Sequence, residues 1–303
     1  MKPALVVLAA GMGSRYGGLK QMDAFGPNGE TILDYSVYDA INSGFGKVVF
    51  IVRESFIYDF KNFFSGKFEH LIDVEFVTQE QNKIPEGFGT FDRQKPWGTA
   101  HAVQMAADVV KEPFLVINAD DYYGRDAYKV AFEYFSKFPD SKVDTKDIYF
   151  VMGYKLKNTL SDHGTVNRGV CEEDSSGNLI DIKECKKIGK FENGRIAYPE
   201  GNNMIELTEE TLVSMNMWGF YPSYFDYFNK NFREFLTKEG ANPTSEYYIP
   251  DLIDLLIKNG QSEVRVLSSD SEWFGVTYQE DKPYVIEKLQ NLINSGVYPK
   301  KLW

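Results

Sequence analysis

The stretch Gly11-Met12-Gly13-Ser14-Arg15-Tyr16-Gly17-Gly18-Leu19-Lys20-Gln21 places four glycines and two cations just after the apolar run Ala4–Ala9. Glycines remove side-chain obstruction, so the backbone amides of such a loop can come close to a phosphate. Two common phosphate loops do not fit. The dinucleotide fingerprint G-x-G-x-x-G fails by one residue at Gly17, and no acidic residue ends a second strand about 20 residues on. The Walker loop fails because Gly18 is followed by Leu19-Lys20-Gln21 rather than Lys-Ser or Lys-Thr. A second candidate is Asp120, which follows the apolar run Phe114–Asn118. A carboxylate at the ligand-binding edge of an α/β sheet is a natural Mg²⁺ ligand. Asp121 points the other way if the strand continues, as a helper or a helix N-cap. His70, His101 and His163 lack ligand-set spacing, and Cys171 and Cys185 form no C-x-x-C or Cys/His cluster.

The elements that must position these groups follow from periodicity. Strand-length apolar runs alternate with amphipathic segments through the first half, the pattern of β-α-β units. Strands are predicted at Ala4–Ala9, Lys47–Val52, Val74–Gln79 and Phe114–Asn118, and helices at Ile32–Ser43, Ile57–Ser65, Thr99–Val110 and Arg125–Lys137. Glu80–Trp97, with two prolines, Gly87 and Gly89, reads as an inserted loop. The second half predicts strands at Ile148–Lys155, Gly164–Glu172, Leu179–Cys185, Leu212–Phe220 and Val264–Leu267, an antiparallel or mixed extension of the sheet. Helices are predicted at Tyr224–Leu236, Tyr248–Asn259 and Lys282–Ser295, the last with Ile286, Leu289, Leu292 and Ile293 on one face.

Leu8-Ala9-Ala10-Gly11-x-Gly13-Ser14-Arg15, with Lys20 close behind, resembles the signature of the sugar-1-phosphate nucleotidyltransferases. Further stretches like those of that family follow in order. Gly98-Thr99-Ala100-His101-Ala102 looks like its G-T-x-H-A helix start. Asn118-Ala119-Asp120 looks like the strand end bearing its metal-binding aspartate, and Glu246-Tyr247-Tyr248-Ile249-Pro250-Asp251 like the E-Y-Y-x-x-D segment of the uridylyltransferase branch. The resemblance implies an α/β fold, a Rossmann-like mixed sheet flanked by helices without a C-terminal β-helix. It also implies one nucleotidyltransferase domain over 1–303, with a nucleotide-binding half (1–140) and a sugar-binding half (141–303).

The implied reaction is attack by a sugar-1-phosphate oxygen on the α-phosphorus of an NTP, with UTP favoured, expelling pyrophosphate. Both reactants are anionic, so cations and a metal, here Mg²⁺, do most of what is needed. The resemblance assigns Arg15 to the leaving phosphates, Lys20 to the transferring phosphate and Asp120 to the metal. Leu8, Ala9, Ala10, Gly11, Gly13, Ser14, Gly98 and Thr99 are expected around the nucleotide. The base-reading glutamine of the family falls at Arg93; Gln79 takes that role if 82–96 is an insertion lying over the base, with Gln94 as the alternative. Gly164, Glu184 and Asn216 resemble the sugar-hydroxyl positions. Lys186 shares a strand face with Glu184 and adds charge there. One departure stands out: the family's second metal ligand falls at Gly275 or Thr277, leaving Asp270, Glu272, Asp281 or the Thr277 hydroxyl as substitutes.

Lys plus Arg number 33 and Asp plus Glu 44, a net charge of −11 that argues against a nucleic-acid or anionic-membrane binder. Any anion must be held locally. Apolar Ala4–Ala10 is too short for a secretory core, and no run approaches the ~18 residues of a membrane span, so a cytoplasmic protein with small-molecule substrates is expected; homo-oligomer formation is left open. Two other functions stay in view. One is a cytidylyltransferase for a non-sugar phosphate such as phosphocholine, with Trp97, Trp218 and Trp273 as cage candidates. The other is a catalytically weak nucleotide-sugar sensor.

Overall fold

The computed structural model describes residues 1–11, 22–161, 164–191, 194–276 and 279–303. The first half runs β1 (Ala4–Leu8), α1 (Ile32–Ser43), β2 (Lys47–Val52), α2 (Ile57–Phe64), β3 (Asp73–Thr78), α3 (Thr99–Gln104), β4 (Phe114–Asn118), β5 (Asp121–Tyr122) and α4 (Arg125–Lys137). Next come β6 (Lys142–Val143), β7 (Lys146–Lys155), β8 (Val166–Glu173), β9 (Leu179–Lys190), β10 (Ile196–Glu200), β11 (Asn203–Leu207) and β12 (Leu212–Phe220). The chain closes with α5 (Ser223–Glu239), α6 (Ile249–Lys258), β13 (Ser262–Ser269), β14 (Phe274–Gly275) and α7 (Lys282–Asn294).

β1 lies between β2 and β4, and β3 adds outside β2, all parallel. Strands covered on both faces need continuous apolar sequence, and Leu5–Val7, Val48–Val52 and Phe114–Ile117 are accordingly buried. α1 starts where the backbone N–H of Thr31 donates to Asp34 Oδ2 (2.8 Å) and Asp34 N–H returns a bond to Thr31 Oγ1 (3.1 Å). It stops at Gly44, whose φ of 106° is the left-handed cap. These bounds set the right length of helix to return the chain to β2.

The second half is antiparallel and joins the first through β12, giving the order β11-β10-β9-β8-β12-β4-β1-β2-β3, with β7 also on β12 and flanked by β6 and β13. β12 meets β4 at Trp218–Phe220 but β8 at Val213 and Ser214. Its pairing with β7 slips between Ser214 and Trp218, and Asn216 in that gap has φ 62°. A bulge re-aims its residue out of the strand alternation. Asn216 is thus turned toward β4 at the place where the sheet divides. One buried cluster runs through both halves, and a second joins Phe25, Ile32 and Tyr35 to α7.

The expected mixed α/β architecture is observed, with several local corrections. α3 is shorter than expected: after Gln104 the chain continues in tight turns such as Met105 N–H to Ala102 O and Val109 N–H to Ala106 O. β9 runs on to Lys190, and a hairpin, β10–β11, follows that its Pro199 and polar turn concealed. In α7 Val285 is buried while Ile286 is 40% exposed, because the inward stripe runs Val285, Leu289, Leu292 and Ile293. Asp121 is not a helix cap: it sits in β5, and Gly124 caps α4. No helix among the described residues is long and apolar enough to cross a membrane.

Candidate active site

Beyond the carboxyl ends of β1, β3 and β4, the edge at which parallel α/β sheets bind ligands, a cavity of about 290 Å³ is lined by Leu8, Ala10, Gly11, Gln79, Gly98, Thr99, Asn118, Asp120 and Glu246, with Pro96 and Ala102. Seven residues singled out from sequence therefore meet there: Leu8, Ala10, Gly11, Gln79, Gly98, Thr99 and Asp120. Ala9 is buried behind them, its N–H donating to Ile51 O (2.9 Å). Arg53 Nε donates to Ala10 O at 2.9 Å and anchors the start of the loop. Gly13, Ser14, Arg15 and Lys20 lie outside the described residues, as does Thr277.

The G-T-A-H-A and E-Y-Y-x-x-D stretches form one structural unit. Tyr247 N–H donates to Trp97 O (2.7 Å), Ala100 N–H to Tyr247 O (3.1 Å) and Ile249 N–H to Thr99 Oγ1 (3.1 Å). Gly98, with φ 98°, lies against this backbone so closely that a Cβ would be 2.5 Å from Tyr247 O. Only glycine combines that dihedral with that approach. Tyr248 N–H donates to Asp251 (2.9 Å), so the acidic end of the motif caps α6 rather than facing the cavity. Glu246 faces the cavity and pairs with Lys95 at 2.8 Å.

Arg93 is withdrawn from any base-reading position. Its guanidinium donates to Asn242 O (2.7 Å), Ser245 Oγ (3.0 Å) and Ser245 O, and stacks 3.6 Å from the Trp97 ring centre. It fastens the 80–97 loop to the chain before α6. Gln94 is exposed and does not line the cavity, whereas Gln79 does. On the other side, Asn216 Nδ2 donates to Asn118 Oδ1 (2.7 Å) and its Oδ1 accepts from Trp218 Nε1 (3.1 Å), which ties Asn216 to a cavity-lining residue. Glu184 and Lys186 project from one face of β9, with Cys185 buried between them. Gly164 is exposed and bridges to Ser161. Gly164, Glu184 and Lys186 do not line the cavity itself.

A family model described as nucleotidyl transferase matches residues 4–277. The chain belongs to the nucleotidyl transferase family. No curated protein matches it. Among solved structures it resembles one described as a glucose-1-phosphate thymidylyltransferase from Bacillus anthracis, with sucrose bound (TM-score 0.62, 14% identity, 95% of each chain covered). It also resembles the inositol-1-phosphate CTP transferase from T. maritima (TM-score 0.60, 14% identity, covering 95% of this chain and 96% of that one). At that identity these likenesses speak for the fold.

In this nucleotidyl transferase both Asp120 and Glu246 line the cavity. Asp121 Oδ2 accepts from Asn118 Nδ2 (2.9 Å), and Gly275, opposite it in the β5–β14 pair, lies so close that an added Cβ would displace the Asp121 carboxylate. Asp270 is paired with Lys155 (2.7 Å) and Glu272 with Lys288, while Asp281 occupies the position before α7 without a side-chain cap bond. No group of three or more His, Cys, Asp and Glu that would hold a metal occurs among the described residues. Hard cations such as Mg²⁺ are commonly held by one or two carboxylates plus substrate phosphates, and the Asp120 edge fits that donor set.

Two residues were missed in the sequence. Arg168 on β8 lies 4.9 Å from the Trp273 ring centre, interacts with both Asp121 and Glu184, and has its Nε buried without a partner. Burial lowers its pKa to about 10 against the pull of those two carboxylates. Asn118 links Asp121 to Asn216; its place in Asn118-Ala119-Asp120 was its only signal. The tryptophans proposed as a cation cage are otherwise engaged: Trp97 and Trp218 are buried, and Trp273 carries Arg168.

His101 is buried, and desolvation lowers its pKa to about 4. Because the folded value lies below the ordinary 6.5, protonation favours the unfolded chain; His101 stabilises above pH 6.5, and this is lost as pH falls toward 4. Asp39 opposes it: burial, against Tyr298 and Arg125, raises its pKa to about 7, so its contribution is present at low pH and lost as pH rises through 7. Urea titration of wild type and His101→Phe isolates the histidine. Wild type should lose on the order of 2 kcal/mol relative to the variant between pH 7.5 and pH 5; a difference that stays constant with pH would contradict a neutral buried imidazole.

Proposed function

We propose that the protein transfers a nucleotidyl group from an NTP, with UTP the favoured donor, to a sugar-1-phosphate, giving an NDP-sugar and pyrophosphate. The observation that carries this reading is a cavity that gathers Gly11, Gln79, Gly98 and Asp120 at the ligand edge of β1, β3 and β4. The base end lies at Gln79 and Gly98. Gln79 Nε2 donates to Gly98 O (3.1 Å), leaving Oε1 to accept from a base N–H. Uracil and thymine offer such a donor at N3. UTP is preferred on the likeness of the G-T-A-H-A and E-Y-Y-x-x-D stretches to uridylyltransferases.

The acceptor enters from the side of Asn216 and Glu184, which bind sugar hydroxyls, with Gly164 and Lys186 at the outer edge. Arg15 neutralises the leaving pyrophosphate and Lys20 the α-phosphate as the acceptor oxygen attacks in line. No protein nucleophile is required, since alignment and charge cancellation lower the barrier. Mg²⁺, held by Asp120 and substrate phosphates, would supply further neutralisation of the transferring group. The engaged tryptophans speak against a choline phosphate as acceptor.

The test is pyrophosphate release from UTP, dTTP, CTP, ATP and GTP, each against hexose-1-phosphates, inositol-1-phosphate and phosphocholine. Turnover with a sugar-1-phosphate, fastest with UTP, is expected. Turnover only with a non-sugar phosphate overturns the acceptor assignment, and nucleotide-sugar binding without turnover points to a sensor.

A further inference from the structure

His101 lies behind the base end of the cavity, and its hydrogen bonds are directional. Its Nε2 is 2.6 Å from Lys83 O, an atom that only accepts, so Nε2 carries the proton and donates. Nδ1 is then the bare nitrogen. It faces Gln79 Nε2 at 3.3 Å and accepts one of its two protons, while Gly98 O accepts the other at 3.1 Å. Both amide protons of Gln79 are therefore consumed by protein acceptors, and the carboxamide cannot rotate without presenting its oxygen to the Gly98 carbonyl and the imidazole lone pair. The ring packs in tilted contacts with Phe228 and Phe232, 6.3 and 5.3 Å centre to centre.

We propose that His101 is a positioning residue for base selection: through Lys83 O, His101 and Gln79, the 80–97 loop fixes which face of the Gln79 amide the nucleotide base meets. This rests on the reading of Gln79 as the base contact. It gives the loop a function other than that of a lid, since its main chain at Lys83 sets the imidazole tautomer. Asn at position 101 places an oxygen near the Nδ1 position and keeps an acceptor for Gln79. Gln reaches the Nε2 position and keeps the Lys83 contact but not that acceptor. Phe keeps the aromatic packing and removes both.

Calorimetric dissociation constants for UTP, dTTP, CTP, ATP and GTP are measured on the full chain as wild type, His101→Phe, His101→Gln, His101→Asn and Gln79→Ala. The ratio of affinities between the best and the next-best base should shrink at least about tenfold in His101→Phe and His101→Gln and be largely kept in His101→Asn. A purely structural role would instead weaken all nucleotides alike. Unchanged ratios in His101→Phe with a collapsed ratio in Gln79→Ala overturn the relay and leave the Gln79 reading standing. Unchanged ratios in Gln79→Ala overturn that reading itself. If the variants fail to fold, ¹⁵N NMR of the wild-type imidazole decides: a protonated Nε2 with bare Nδ1 is expected, and the opposite tautomer overturns the relay.

Discussion

Asp120→Asn is expected to lower turnover by at least about 10²-fold while leaving the fold intact. Asp120 follows β4 and lines the cavity, so the exchange removes a charge at its surface without opening a hole in the core. Asp121 next to it is engaged with Asn118 and faces Gly275, and Asp270 and Glu272 are paired with lysines. In the proposed reaction Asp120 would help to hold a cation between two anionic substrates, and its charge is what the exchange removes. Steady-state pyrophosphate release, with a thermal melt as control, reads the effect. A wild-type rate in Asp120→Asn would remove Asp120 from the machinery.

Gly98→Ala should be as damaging through a different route. The added methyl would lie 2.5 Å from Tyr247 O and 2.7 Å from Tyr247 N, at a φ of 98° that alanine rarely adopts. Tyr247 is unable to recede without breaking its bonds to Trp97 O and from Ala100 N–H. Dihedral strain and overlap together predict a loss of about 2–4 kcal/mol of stability, measured by urea titration, and a weakening of nucleotide binding at least about tenfold. Unaltered stability would show that the junction between the two motifs yields.

Much of the fold was legible because local and global preferences agree. α1, β2, β4, α4 and β12 have the bounds their sequences predict: their apolar runs are bracketed by residues such as Thr31, Gly44 and Gly124 that break or cap them. Where tertiary pairing decides, the pattern is silent. β10, with Ile196, Ala197 and Tyr198 buried, is placed by its pairing with β9 and β11, and the two-residue β5–β14 pair exists only because distant segments meet. Seven lining residues of the cavity were legible, since they follow the ends of readable strands or begin α3, whereas Asn118 was not. Arg168 was not, for nothing in its neighbours Asn167 and Gly169 marks the approach of Trp273, Asp121 and Glu184. The position of Asn216 was readable, but its bond to Asn118 depends on a bulge that no periodicity displays.

The acidic net charge of −11 shows how little a bulk property says about the ligand, because charge cancellation at one strand edge is a local matter. The proposed reaction is transfer of the α-phosphoryl-bearing nucleotidyl group. It is tested most directly by supplying UTP labelled with ³²P at the α position in one reaction and at the γ position in another, together with a sugar-1-phosphate, and separating the products. The α label is expected in the nucleotide sugar and the γ label in pyrophosphate. Label from the γ position appearing on the sugar, or α label ending in free UMP, would contradict it.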